Sequence, residues 1–231
     1  MRGILPIAAL SLAIAGAAGI MSLSPAAAII AEEAKILPAP RITAKEPAKL
    51  QVAIFAGGCF WGVEGVFSHV RGVKSAVSGY HGGGASTATY RRTNYGDTGH
   101  AEAVRVVYDP KVVRYDQLLQ VFFSVTTDPT QLNRQGPDRG SQYRGAIVPM
   151  NNEQLRVARA YITQLGKAKI WSQPIVTKIE GYKKFYKAEE YHQDFMFKNP
   201  RHGYILRWDK PKVANLKRVF PKLYTAKPIR G

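Results

Sequence analysis

Apolar positions along the chain fall first into one long block and then into short runs of changing period. Arg2 is followed by an uncharged stretch, Gly3 to Ala31, rich in Ala, Leu and Ile. Pro25-Ala26-Ala27-Ala28 adds the small residues that suit signal peptidase. Residues 1–31 therefore read as a secretory signal, with cleavage near Ala28 to Ala31. The block also exceeds the roughly 20 residues needed to cross a bilayer, so an uncleaved anchor is the alternative. Either reading places the rest of the chain outside the cytoplasm: periplasmic or secreted, or membrane-anchored with an extracytoplasmic domain. Residues 32–49, with Pro38, Pro40 and Pro47, read as a linker.

From Leu50 the periods become those of a folded domain, read here as 50–200. Val52 to Ala56 are all apolar, the pattern of a strand buried on both faces. Phe60, Val63, Phe67 and Val70 then recur at helical spacing. Val73 to Tyr80 reads as a strand, and His81 to Thr93 as a Gly-, Ser- and Thr-rich loop containing Tyr90. Ala101 to Tyr108 alternates, so Glu102, Val104, Val106 and Tyr108 share one face. Tyr115 to Val125 predicts a helix with Leu118, Leu119, Phe122 and Val125 inward. Thr126 to Gln142 is a long polar loop, of the kind that carries function. Tyr143 follows it and leads into a strand at Arg144 to Val148. Asn151 to Leu165 predicts a helix capped by Asn151, with Leu155, Ala158, Ile162 and Leu165 inward and Gly166 ending it. Ile175 to Ile179 reads as a strand and Ala188 to Phe197 as a helix. Residues 201–231 read as a basic tail with a short helix at Val213 to Phe220. Several strands follow one another without a crossover helix. That favours a two-layer α+β sandwich, a mixed sheet with helices packed on it.

Composition narrows the chemistry. The chain has 231 residues and a single cysteine, Cys59, which excludes an internal disulfide framework and a multi-cysteine metal site. The net charge of +17 is large, but no nucleic-acid motif accompanies it, and no nucleic-acid partner is expected. Much of it lies at the C-terminus, where Arg201 to Gly231 carries nine Lys/Arg against one Asp.

Cys59 lies in Gly57-Gly58-Cys59-Phe60-Trp61-Gly62, between the first strand and the first helix. Two glycines allow a tight turn and close approach of a ligand. The unpaired N–H groups of a helix start favour a thiolate, and such settings lower a cysteine pKa to roughly 3.5–7.5 from about 8.5. Glu102 points inward at the start of its strand, where burial raises a carboxyl pKa. An acid kept protonated beside a nucleophile suits general-acid work. Three chemistries fit a thiolate with a buried acid: acyl transfer with a histidine base, metal binding, or redox chemistry on sulfur that leaves a sulfenic acid. His69, His81, His100, His192 and His202 show no pairing with Cys59 and no ligand spacing, and no metal is expected.

Four motifs, in order, set these residues in a pattern. They are Gly58-Cys59-Phe60-Trp61-Gly62; Gly96-Asp97-Thr98-Gly99-His100-Ala101-Glu102-Ala103-Val104; Asp128-Pro129-Thr130-Gln131 with Gln135-Gly136-Pro137-Asp138 and Gln142-Tyr143-Arg144; and Ala188-Glu189-Glu190-Tyr191-His192-Gln193. Over about Val52 to Pro200 the chain resembles peptide methionine sulfoxide reductase A. The resemblance implies a ferredoxin-like fold and reduction of methionine S-sulfoxide, free or in oxidised proteins. It implies Cys59 as nucleophile and Glu102 as the acid that protonates the sulfoxide oxygen. Tyr90 and Tyr143 would be hydrogen-bond donors to that oxygen. Phe60 and Trp61 would wall the S-methyl pocket, and Asp138 would lie at its rim. Many members carry further cysteines that resolve the sulfenic acid. This chain has none, so the resemblance implies no bound cofactor but an external thiol reductant, thioredoxin-like or other. The competing class is a degenerate reductase fold that binds without turnover.

Overall fold

The computed structural model describes residues 34–231, so the signal or anchor expected at 1–31 lies outside the described residues. The apolar run after Leu50 forms β1 (Gln51–Gly57), followed by α1 (Phe60–Ser68), β2 (Val73–His81), a four-residue helix α2 (Tyr90–Thr93) and β3 (Ala101–Tyr108). Next come α3 (Tyr115–Val121), a small hairpin of β4 (Arg134–Gln135) and β5 (Asp138–Arg139), β6 (Gly145–Val148) and α4 (Asn152–Ala168). The chain closes with β7 (Lys178–Ile179), β8 (Phe185–Lys187), α5 (Phe195–Lys198) and α6 (Lys210–Val219). The six-stranded sheet runs β7-β6-β1-β3-β2-β8. All its pairs are antiparallel except β6 with β7. The sheet is therefore mixed, and the inner order β6-β1-β3-β2 is that of a ferredoxin-like β-α-β-β-α-β unit.

Register decides what faces the helices. Phe55 pairs with Val104 and Ala53 with Val106, while Tyr80 pairs with Glu102 on the other side of β3. Ala53, Phe55, Val104, Val106, Tyr108 and Tyr80 are buried in the main core under α1 and α3. Phe55 is its centre, with its ring 4.8 Å from Phe67, 5.2 Å from Phe122 and 6.2 Å from Tyr115. Ile54, Ala56, Ala101, Ala103, Ala146 and Val148 make a smaller cluster on the opposite face. Both faces of β1 are thus dry, as its unbroken apolar run requires.

Several elements differ from the sequence expectation, each for a tertiary reason. The helix at Tyr115 continues past Val121 as a wider π-turn, Phe122–Thr126. The long polar loop holds the β4–β5 hairpin. Helix α4 is capped by Asn151, which accepts from Gln154 N–H at 2.9 Å, but it runs through Gly166 and ends where Lys169 takes a left-handed φ of 49°. Its buried stripe is Gln154, Val157, Ala158, Tyr161 and Leu165, so Leu155 and Ile162 sit at the margin rather than inside. The strand expected at Ile175 shrinks to Lys178–Ile179. The helix expected over Ala188 to Phe197 is broken: Asp194 has φ 55°, and Gln193 spends its amide on Ser78 N–H and on the Ser78 and Ala188 carbonyls.

Both flanking segments are bound to the domain. Leu37 and Ala44 are buried, and Glu46 accepts from the Tyr108 hydroxyl and from Tyr115 N–H. The region after Arg201 is no loose tail. Ile205, Asp209 and Leu216 are wholly buried, and Leu223, Thr225 and Ile229 hydrogen-bond to the backbone of residues 68–71. Among the described residues no helix is long and apolar enough to cross a membrane.

Candidate active site

Gly58 takes φ +91°, and a Cβ there would lie 2.4 Å from Gln135 Cβ. Only glycine makes this turn without strain, and it delivers Cys59 to the N-cap of α1. Cys59 is buried, with 8% of its surface exposed. Placement follows the sequence expectation, but ionisation does not. Burial, then the charges of Glu102, Asp209 and Asp138, hold the thiol well above its ordinary value, against a lowering hydrogen bond from the Trp61 backbone N–H. The helix start is outweighed by desolvation and three acids, so the resting group is a thiol.

Glu102 lies one pair beyond Val104 in the inward row of β3. It is 2% exposed, and its Oε2 accepts the Phe60 N–H at 2.9 Å. Burial pushes its pKa up to about 8, with Asp138 and Asp209 adding to the rise. At neutral pH it carries a proton beside the cysteine, as its inward position predicts.

The two phenols come from turns. Tyr90 opens α2, where its N–H donates to Glu189 Oε1 at 2.9 Å. Tyr143 ends a short 3-10 turn, Ser141–Tyr143, tied down by Ser141 Oγ to Gly96 O at 2.5 Å and Gln142 Nε2 to Asn94 O at 3.2 Å. Both phenols are kept protonated, first by burial and then by Glu102, and ionisation of Cys59 would raise both further. Phe60 is buried against Tyr80 and His192. Trp61 is half-buried: its ring stacks on Phe195 at 3.7 Å, and its indole Nε1–H donates to His192 Nδ1 at 3.1 Å. Asp138, in β5, accepts a hydrogen bond from the Tyr204 hydroxyl. Cys59, Glu102, Tyr90, Tyr143 and Asp138 thus gather at one end of the sheet, with Trp61 alongside.

Sequence reasoning missed a further wall. A narrow cleft beside Cys59 is lined by Gln135, Asp138, Tyr204, Trp208 and Lys212. Asp209, between Trp208 and Lys212 in the chain, is wholly buried. The signal was present: Tyr204, Trp208 and Lys212 recur every four residues, a helical face inside the stretch taken for a basic tail. His192 was quoted only as part of a motif, yet it locks Trp61.

Taken together, a buried thiol, a protonated carboxyl and oriented phenols suit a reaction in which sulfur attacks and an oxygen is protonated. A family model described as "Peptide methionine sulfoxide reductase" matches residues 51–223. A "Peptide methionine sulfoxide reductase MsrA 2" of Mesorhizobium japonicum is 59% identical over 179 residues, covering 78% of this chain and 92% of its own. An MsrA of Deinococcus radiodurans is 50% identical, covering 73% of this chain and 81% of its own. Among solved structures, reduced Mxr1 of Saccharomyces cerevisiae matches with TM-score 0.59 at 35% identity, covering 70% of this chain and 92% of that one. Methionine sulfoxide reductase A of Corynebacterium diphtheriae matches with TM-score 0.56 at 33% identity, covering 74% and 87%.

Proposed function

The chain belongs to the peptide methionine sulfoxide reductase family, and from that premise we propose that it reduces methionine S-sulfoxide, free or in oxidised proteins, with Cys59 as its nucleophile. The observation that carries the mechanism is Glu102, a buried acid protonated at neutral pH beside the only cysteine. Sγ attacks the sulfoxide sulfur while Glu102 protonates the oxygen, and Tyr90 and Tyr143 donate to that oxygen as charge develops on it. Two electrons pass from Sγ to the substrate sulfur, and the oxygen is transferred to Cys59. The products are a thioether and a sulfenic acid. Trp61, whose ring is partly exposed, offers the apolar surface for the S-methyl group.

With no second cysteine in the sequence, an external thiol must reduce the sulfenic acid. Two thiols supply the two electrons and two protons, and water leaves with a new disulfide between them. A thioredoxin-like protein fits that role by chemical class. The apolar block at 1–31 supports action outside the cytoplasm, on proteins oxidised there.

Mixing enzyme with a methyl sulfoxide substrate tests the scheme. One methionine per enzyme is expected without reductant, with Cys59 trapped by dimedone, and repeated turnover after dithiothreitol is added. Methionine formation by Cys59→Ser, or an unmodified Cys59 with the substrate still bound, would refute it.

A further inference from the structure

The Glu190–His192 turn holds two walls of the site at once. Glu189, just ahead of it, accepts the Tyr90 N–H on Oε1 at 2.9 Å and the Tyr80 hydroxyl on Oε2 at 2.7 Å. His192, at its end, accepts the Trp61 indole N–H on Nδ1 at 3.1 Å. An indole N–H can only donate. Nδ1 therefore bears a lone pair, and the imidazole hydrogen sits on Nε2. His192 is 2% exposed. Its ring lies among Tyr191, Tyr90 and Phe60, with centroids at 4.2, 4.5 and 4.9 Å. Nε2 is buried with no hydrogen-bond partner among the described residues.

Protonation would undo this arrangement. A second hydrogen could go only onto Nδ1, where the indole N–H already points, and two donors would then face each other. The cation would also lie in a dry aromatic cage, and burying an unpaired charge is costly. Glu189 already spends both oxygens on Tyr80 and Tyr90. Burial accordingly holds His192 below its ordinary value, against the pull of Glu189. Facing the ring are Tyr90 from α2, Tyr191 and Glu189 from its own turn, and Phe60 and Trp61 from α1. On its other sides Trp61 stands edge-on to His202 and to Tyr204, each at 5.9 Å. Tyr204 lines the cleft beside Cys59. The indole that His192 holds is thus continuous with the wall around the sulfur.

We propose that His192 is the positioning residue of the S-methyl pocket: as a neutral imidazole it fixes the Trp61 ring through the indole N–H, and as a cation it releases that ring; the proposal rests on the reductase reading above. His192 acts through Trp61 and not on the reacting atoms. Affinity for the sulfoxide therefore falls in acid. The chemical step keeps its acid there, because Glu102 stays protonated below about 8.

Single-turnover methionine formation by the full chain, measured against methyl sulfoxide concentration from about pH 8 to about pH 4.5, spans the histidine range. It yields the half-saturating concentration and the limiting rate separately. In the wild type the half-saturating concentration should rise about tenfold as pH falls below about 6.5, the scale of one lost hydrogen bond. His192→Asn keeps an acceptor in place of Nδ1 but does not titrate, so it should bind like wild type near neutrality and stay flat in acid. His192→Leu should bind about tenfold more weakly at every pH, with its limiting rate within about twofold of wild type. In a Trp61→Phe background, which has no indole N–H, His192→Leu should add nothing. His202 also touches the Trp61 ring, so the acid rise should persist in His202→Asn. An acid rise that survives in His192→Asn overturns the proposal, as does a flat wild-type curve. So does a folded His192→Leu that binds like wild type, or an undiminished effect of His192→Leu in Trp61→Phe. Failure of the wild type to form methionine would instead remove the reductase reading itself.

Discussion

Glu102 and Glu180 are the same residue in two neighbouring settings with opposite outcomes. Arg144 follows Tyr143 and grips Glu180 through Nε at 2.7 Å and Nη2 at 3.1 Å. It also reaches Ser141 O at 2.9 Å and Gly99 O at 3.1 Å. His81 Nδ1 lies 3.6 Å from Glu180. Burial acts upward on Glu180, but the nearby His81 and the hydrogen bonds from Arg144 more than offset it and hold it at about 2. Glu102 has one backbone N–H and no cation, and burial takes it to about 8. The first setting fixes the turn that carries Tyr143. The second keeps a proton ready. Pairing keeps a buried acid ionised, whereas leaving it without a cation keeps it protonated.

The comparison can be broken most directly at its reactive end. Glu102→Gln keeps the shape and the Phe60 contact but has no acidic proton. Single-turnover reduction should fall about a thousandfold with substrate binding kept, and an unchanged rate would remove Glu102 from the acid role. At the paired end, Glu180→Gln leaves Arg144 partly buried without its counter-charge and should lower unfolding free energy by about 3 kcal/mol. Urea denaturation at pH 7 measures this, and a loss below a few tenths would show the pair is not structural.

The pH dependences should run in opposite directions. Glu102 is raised from 4.5 to about 8, so its contribution to stability is full below pH 4.5 and is lost as pH rises toward 8. Wild type should weaken against Glu102→Gln across that window. Glu180 is lowered from 4.5 to about 2, so its contribution is full above 4.5 and lost as pH falls toward 2. The gap between wild type and Glu180→Gln should close there. Parallel curves in either series would contradict the assigned environments. The smallest effect is expected at Asp138, where Tyr204→Phe removes one donor and should cost about 1 kcal/mol in the same denaturation experiment.

Local pattern carried most of the scaffold. Alternation in Ala101 to Tyr108 put Glu102 on the inward face, and the apolar run of β1 placed the turn that holds Cys59. These are period arguments, and period survives folding because each element must bury one face. The broken helix at 188–197 was not legible, because Glu189 and Gln193 satisfy Tyr80, Tyr90 and Ser78, partners about a hundred residues away in the chain. Nor was the role of residues 204–212, since their charge resembled a solvated tail and only packing against α1 shows Tyr204 and Asp209 turned inward.

By itself, then, the sequence determined the family, the single cysteine at the strand-to-helix turn, the inward place of Glu102 on its strand and the lack of any cysteine to resolve a sulfenic acid. Tertiary structure alone decided the state of the thiol. A helix start lowers a cysteine pKa in isolation, but Cys59 sits in a dry pocket among Glu102, Asp138 and Asp209. Desolvation and like charge depend on distances through space, which no spacing along the chain records.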